Sequence, residues 1–353
     1  MIKILHSADW HLDSPLVFRD PEQSRLLRSA MAQIPEKIVS VCKEEACNLM
    51  LLSGDLFDGA YAADTLQALR RALADAAVPV FISPGNHDFV GSDSPWLTER
   101  WPENVHIFTR PTMESVGIPE LNCRVYGAGF VGMDCPGLLA DLDTARQERY
   151  AVGVLHGDPT QTASAYNPIT AEQVKLSGLD YLALGHIHKG DSFRAGKTLC
   201  AWPGCPMGRG FDELGEKGVL VVTVDKTTTA RFVPLDTPRF YDLQIPADQS
   251  LASVLPPVGN SDFYRITLTG PSDPVDLTAL QSEFSHFPNL ELRDKTTPPV
   301  DIWGSAGTDT FEGLYFQKLR DAMDTGDEDT KKRALLAAQI SRQLLDGQEV
   351  VLP

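Results

Sequence analysis

Residues 48–58 read NLMLLSGDLFD: an apolar run that stops at Ser53, then a Gly54-Asp55 turn that carries a second carboxylate at Asp58. A short, unbroken apolar run closed by a turn is the pattern of a strand buried on both faces. The same pattern stands on either side. Residues 2–5 (IKIL) run straight into polar Ser7–Asp9 and His11, and residues 78–82 (VPVFI) end at Pro84-Gly85 before Asn86-His87-Asp88. Between these strands the period changes. In residues 23–47, Leu26, Leu27, Ala30, Ile34, Ile38, Val41 and Cys42 recur at three- and four-residue steps, and residues 65–76 are rich in Ala and Leu. Both segments are predicted helices. The order β-α-β-α-β predicts a parallel sheet with right-handed crossovers.

Further strands are predicted at 105–108, 124–127, 151–155, 181–184, 199–202, 218–224 and 230–234, shorter and more hairpin-like. They suggest a second sheet packed on the first with helices outside, a four-layer α-β-β-α sandwich. Composition shifts near Pro238. Residues 240–245, 263–269 and 290–293 read as strands and 277–284 as a helix. Thr296–Pro299 read as a linker. Residues 311–345 are mostly helical, with an interruption at 325–329. The expected parts are therefore 1–238, a small α/β unit at 239–298, and a linker with a helical tail at 299–353.

The 353 residues hold 31 Lys+Arg against 48 Asp+Glu, a formal charge of −17. That charge argues against a protein that coats nucleic acid or an anionic membrane through its general field, but not against a local phosphate site. No apolar stretch approaches the roughly 20 residues of a spanning helix. The start of the chain lacks the apolar region of a signal peptide. The six cysteines are scattered, with no CxxC pair, as expected of reduced thiols. The cytoplasm is the expected compartment.

Five of the eight histidines sit directly after apolar strands. Asp9-x-His11, Asp55, Asn86-His87, His156 and His186-x-His188 each follow one. In an open α/β sheet the carboxyl ends of the strands form the ligand crevice, so these residues are expected to converge. Imidazole, carboxylate and amide oxygen together suit Mn, Fe or Zn better than Ca. Asp55, at the head of a glycine turn, is placed to bridge two ions. Glycines before Asp55, Asn86 and His186 allow close backbone approach.

The succession Asp-x-His, Gly-Asp-x-x-Asp, Gly-Asn-His-Asp, His, Gly-His-x-His resembles the signature of the calcineurin-like metallophosphoesterases over about residues 4–190. Residues 7–12 (SADWHL), 54–58 (GDLFD) and 202–218 (WPGCPMGRGFDELGEKG) are similar to the DNA-repair exonuclease branch, SbcD-like and YhaO-like. The small unit at 239–298 lies where that branch has its capping domain. The resemblance implies one ion held by Asp9, His11, Asp55 and His188, and a second by Asp55, Asn86, His156 and His186. It implies Mn2+ in the active form, with Fe, Zn or Mg as other candidates. It implies in-line attack on phosphorus by a hydroxide bridging the ions. His87 would assist the leaving oxygen, with its tautomer fixed by Asp58 or, as second choice, Asp88. DNA as substrate, an SbcC-like coiled-coil ATPase as partner and homodimerisation come with the same resemblance.

Two rival functions are a phosphodiesterase or phosphatase for a small nucleotide-like substrate, and a weakly active structural subunit of an ATPase complex. Arg209 either touches a substrate phosphate or pairs with Asp212 or Glu213. The aromatic residues at 96–101 either stack on a base or close the core. His6, His106 and His286 read as structural. The apolar positions of the tail (Phe311, Leu314, Tyr315, Leu319, Met323) either meet a partner or pack on their own chain.

Overall fold

A computed structural model describes residues 1–139, 142, 144, 148–299 and 301–347. The first sheet is built from β1 (Ile2–Ser7), β2 (Leu49–Leu52), β3 (Val80–Ile82) and β4 (Val105–Ile107), with two late strands, β11 (Gly218–Val224) and β12 (Thr229–Pro234). Its order is β12-β11-β1-β2-β3-β4. β1 to β4 are parallel, and β11 joins β1 antiparallel. The second sheet holds β5 (Glu114–Ile118), β6 (Cys123–Gly127), β7 (Tyr150–His156), β8 (Tyr181–Gly185), β9 (Lys189–Ala195) and β10 (Thr198–Gly204). Its order is β5-β6-β7-β8-β10-β9. The expected hairpins are confined to its two ends: β6, β7, β8 and β10 run parallel, and only edge strands β5 and β9 pair antiparallel.

Strand alternation sorts the side chains into layers. Along β2, Leu49 and Leu51 enter the apolar layer between the sheets, with Val152, Val154, Tyr181 and Ala183 from the second sheet. Met50 and Leu52 face the other way. There they pack with Leu27, Met31, Ile34, Ile38, Leu69 and Leu73 of the covering helices. A third cluster, with Leu155, Val174, Leu182 and Leu184, closes the outer face of the second sheet. The architecture is the α-β-β-α sandwich expected from sequence.

The single helix expected over 23–47 is two helices, α1 (Pro21–Ala32) and α2 (Ile34–Glu44). Pro35 has no N–H to give and crowds the residue before it, so the helix restarts at Gln33. α1 begins on Asp20, whose side chain accepts from the Glu22 N–H at 2.9 Å. α3 (Ala63–Asp75) follows β2, α4 (Pro95–Thr98) follows β3, and α5 (Ala171–Leu176) precedes β8.

Beyond the sandwich, β13 (Phe240–Pro246), β14 (Phe263–Pro271) and β15 (Leu290–Thr297) form a three-stranded sheet, with α6 (Leu277–Glu283) between the last two strands in sequence. α7 (Phe311–Thr325) packs against α8 (Glu328–Leu345). Arg342 of α8 pairs with Glu312 at 2.7 Å and lies over the Phe316 ring. By compactness the chain forms two units. One is Met1–Leu243 with Val258–Arg265 and Phe284–Glu291; the other is Gln244–Pro257 with Ile266–Glu283 and Leu292–Pro353. Among the described residues no helix is long and apolar enough to cross a membrane.

Candidate metal centre

The candidate residues follow the carboxyl ends of β1, β2, β3, β7 and β8, and the loops there are tied to one another. The Asp9 N–H donates to Gly54 O at 3.0 Å, His11 N–H to Asp55 O at 2.9 Å, and Asp58 N–H to Leu12 O at 3.1 Å. His186 N–H reaches across from the second sheet to an Asp9 oxygen at 2.9 Å. His87 N–H donates to Asp55 Oδ1 at 2.9 Å. Four of these residues sit in the left-handed region: Asp9 (φ 54°), His11 (φ 48°), Asp55 (φ 52°) and His186 (φ 95°). Non-glycine residues rarely adopt it, and strain of this kind gathers at functional sites.

Glycines make the approach close enough. Gly54 has φ +85°, and a Cβ there would lie 2.6 Å from His156 Nδ1 and 2.8 Å from Gly85 N. Gly85 needs no special φ. It is required by space, because a Cβ would run into the Asp55 carboxylate.

All of the ligand candidates expected from sequence are brought together. The ligating atoms of Asp9, His11 and His188 lie within 4.8 Å of one another, as do those of Asp9, Asp55 and His156. Asp55 Oδ2 stands 3.8 Å from His11 Nε2 and 3.4 Å from His156 Nε2, between the two groups. Asn86 Oδ1 lies 3.0 Å from His156 Nε2 and 3.2 Å from His186 Nδ1.

The outer edges of the rings fix which nitrogens are lone pairs. His156 Nδ1 is 2.9 Å from Ser53 O, which can only accept, so Nδ1 carries the hydrogen and Nε2 is bare. His188 Nδ1 donates to Glu213 Oε1 at 2.6 Å, and His11 Nδ1 to Asp58 Oδ1 at 3.2 Å. The Nε2 atoms of His11 and His188 therefore face each other across 3.1 Å as two acceptors. His156 Nε2, Asn86 Oδ1 and Asp55 Oδ2 are likewise three acceptors at close range. Acceptors turned on acceptors in a buried site call for cations, and the mixture of imidazole, carboxylate and amide fits divalent ions. The residues present thus fit a pair of metal ions.

The surrounding charges support the same arrangement. Burial works against ionisation of Asp55, but the imidazoles of His156 and His11 and the His87 amide outweigh it and lower its pKa. The His11 hydrogen bond holds Asp58 well below the usual carboxylate range. Burial, with the neighbouring Asp55 charge, pushes Asp88 up to about 7.

Asp58 Oδ1 also lies 2.9 Å from His87 Nδ1, so one carboxylate orients both His11 and His87. Asp88, the second choice for that task, is occupied elsewhere. Its buried oxygens accept from the backbone N–H groups of Gly85 (2.7 Å), Leu56 (2.7 Å) and Asp55 (3.2 Å). It ties the loop after β3 to the loop after β2.

Arg209 takes the pairing alternative with Glu213. Its Nη2 lies 2.9 Å from Glu213 Oε1, and its backbone N–H donates to Oε2 at 2.8 Å. Glu213 is the residue that sequence reading missed as a support for His188. Its signal was its place in the 202–218 stretch, read there only as a partner for Arg209. Trp96 and Trp101 stack at 5.1 Å and belong to the core layer under the helices.

The model of the calcineurin-like phosphoesterase family matches residues 2–190, more than half of the sequence, and the chain belongs to that family. It is 31% identical over 241 residues to the uncharacterized metallophosphoesterase YhaO of Bacillus subtilis (strain 168), a match covering 63% of this chain and 57% of that relative's length. Among solved structures it is similar to TT1561 of Thermus thermophilus (14% identity, TM-score 0.40, 65% of this chain and 98% of the other). It is also similar to GAP50, the anchor in the inner membrane complex of Plasmodium (10% identity, TM-score 0.41, 66% and 84%).

Proposed function

We propose that the chain is a two-metal phosphodiester hydrolase acting on DNA, of the SbcD type, working in the cytoplasm. The observation that carries the hydrolase reading is the pair of acceptor clusters that share Asp55. Asp9, His11, Asp55 and His188 would hold one ion, and Asp55, Asn86, His156 and His186 the other. Such ions supply charge for the phosphoryl oxygens and a nucleophilic water at neutral pH, with Mn2+ the expected metal. The protein's own share is orientation. Ser53 O, Glu213 and Asp58 aim the imidazoles of His156, His188 and His11, and Asp58 keeps the hydrogen of His87 on Nδ1. The His87 side chain is 42% exposed, so its other nitrogen can take a proton from solvent and, in the imidazolium form, donate to the leaving oxygen or protonate it.

The DNA reading rests on the 202–218 stretch and on the likeness to the exonuclease branch. An ATPase partner of the SbcC kind is supported by the tail, where Phe311 (88% exposed) and Leu314 (60%) lie in the open on α7. The small unit at 239–298 would cap the crevice, and homodimerisation belongs to the same proposal.

The test is a panel of labelled single- and double-stranded DNA and bis(p-nitrophenyl) phosphate with Mn, Mg, Zn and Fe. Mn-dependent DNA cleavage is expected, falling about 10²- to 10⁴-fold in His87→Ala. Intact DNA beside hydrolysed bis(p-nitrophenyl) phosphate would defeat the nuclease reading and leave a small-substrate phosphodiesterase. No bound metal and no turnover would leave a structural subunit.

A further inference from the structure

The imidazoles of His156, His188 and His11 are each aimed by a hydrogen bond on the outer ring nitrogen, to Ser53 O, Glu213 and Asp58. His186 is held differently. Its Nδ1 is the nitrogen turned toward the centre, 3.2 Å from Asn86 Oδ1, and its Nε2 makes no hydrogen bond among the described residues. Its main chain is fixed by the bond from its N–H to Asp9 Oδ1. That bond leaves the side-chain torsions open, and an imidazole free to change rotamer must be frozen whenever an ion binds. Other rings take up this task. His156, itself a ligand candidate, stands edge-on to His186 at 5.2 Å, and Tyr166 packs against it at 4.8 Å and 39°.

Tyr166 can serve as a support because its own turn is rigid. Asn167, next in the chain, is fully buried and sits in the left-handed region at φ 47°. Its Nδ2 donates to His156 O at 2.7 Å, its Oδ1 accepts from the Leu138 N–H at 2.7 Å, and its backbone N–H donates to Cys135 O at 2.8 Å. A carbonyl on one side and an N–H on the other leave the amide one orientation. The Asp158 N–H closes the turn on Tyr166 O at 3.0 Å. Gly157 is required by space here, since a Cβ would lie 2.6 Å from Asn167 Nδ2. The Tyr166-Asn167 pair is therefore clamped to the chain directly after His156, and from that clamp the Tyr166 ring reaches His186.

We propose that Tyr166 is the positioning residue of the second ion. It holds the His186 ring by packing, where the other imidazoles are held by hydrogen bonds, and it stands on a turn fixed by Asn167. The proposal rests on the two-metal reading and deepens it, because each ion then has its own support: Glu213 behind His188, and Tyr166 behind His186. The contact is made by the ring, so the tyrosine hydroxyl is not needed for it.

The experiment is stepwise calorimetric titration with Mn2+, and separately with Zn2+, of the intact protein and of folded Tyr166→Ala, Tyr166→Phe, His186→Ala and Tyr166→Ala/His186→Ala variants. In Y166A one affinity should weaken about tenfold while the other is kept, and Y166F should restore it. The double variant should match H186A within about twofold in every affinity that remains, because a residue acting through His186 has nothing left to position. Two unchanged affinities in Y166A overturn the proposal, as does a Y166F protein as impaired as Y166A. So does a double variant in which the two losses multiply. If the intact protein takes up fewer than two ions of either metal, the two-metal reading itself fails and the proposal falls with it. Two ions bound by the intact protein and equally by Y166A defeat the proposal alone.

Discussion

A metal ligand is only as good as its orientation, and in this chain single residues control it. Glu213 accepts from His188 Nδ1 at 2.6 Å and from Arg209 at three atoms. Burial opposes its ionisation, but the hydrogen bonds from His188 and Arg209 hold its pKa well below the usual range. It is therefore a fixed negative charge that keeps His188 Nε2 turned inward as a lone pair. Partners of this kind typically change metal affinity by about 10- to 100-fold when replaced. Glu213→Gln is expected to weaken the first ion by that factor while the second is retained. Stepwise Mn2+ titration reads this as one affinity lost and one kept, and two unchanged affinities would show that His188 is positioned without Glu213. The ligand candidates themselves were legible in the sequence because each is a polar residue set directly behind an apolar run. Glu213 was not, because it belongs to a loop with no period, and only the folded chain shows which histidine it meets.

At the scale of elements, the parallel core and the edges of the first sheet were readable, and the edges of the second sheet were not. Buried strands such as β2 and β8 are continuous apolar runs, and that pattern names them. β9 is polar and largely exposed, and β5 is a short half-buried strand of mixed composition, so neither carries the continuous apolar run that separates a strand from a loop. The alternation of β1 carries more. Ile2, Ile4 and His6 share a face, so His6 must enter the apolar layer between the sheets. It is fully buried there, with Nδ1 2.7 Å from the Tyr181 hydroxyl and Nε2 3.0 Å from Ser53 Oγ, and it ties the first sheet to the second. Burial lowers its pKa to about 3 from 6.5. The unfolded chain takes up a proton below pH 6.5 while the folded chain does not. The stability contributed by neutral His6 is thus whole above pH 6.5 and is lost as pH falls toward 3, by about 1.4 kcal/mol per pH unit. Asp88, raised to about 7, works in the opposite direction, but it is common to the native chain and a His6 variant and cancels between them. His6→Gln should cost roughly 1–3 kcal/mol at pH 7.5, where partners of buried polar groups go unpaired. The gap to the native protein should narrow steadily in urea unfolding at pH 6, 5 and 4. A gap independent of pH would mean that His6 titrates normally in the folded chain.

For the whole molecule, a charge of −17 stands against a DNA substrate held by a general surface field. The distribution of charge removes the conflict and makes a prediction. Asp9 and Asp55 supply two negative charges at the centre, where two divalent ions would add four positive ones and reverse the local sign. Residues 189–217 carry Lys189, Arg194, Lys197, Arg209 and Lys217 against Asp191, Asp212, Glu213 and Glu216, five positive and four negative, so this stretch is slightly basic in an acidic chain. Arg209 is spent on Glu213, which leaves few cations able to displace counterions from a DNA backbone. Affinity for DNA should therefore come from the metals and from a short contact, not from the surface at large. Binding of a labelled oligonucleotide by the His87→Ala protein should be weak in chelator at moderate salt. It should rise at least tenfold on addition of Mn2+, with a shallow dependence on salt because few phosphates are neutralised. Tight binding in chelator with a steep salt slope would point to an extended cationic surface in place of the metals. The DNA reading would then need a different footing from the metal centre.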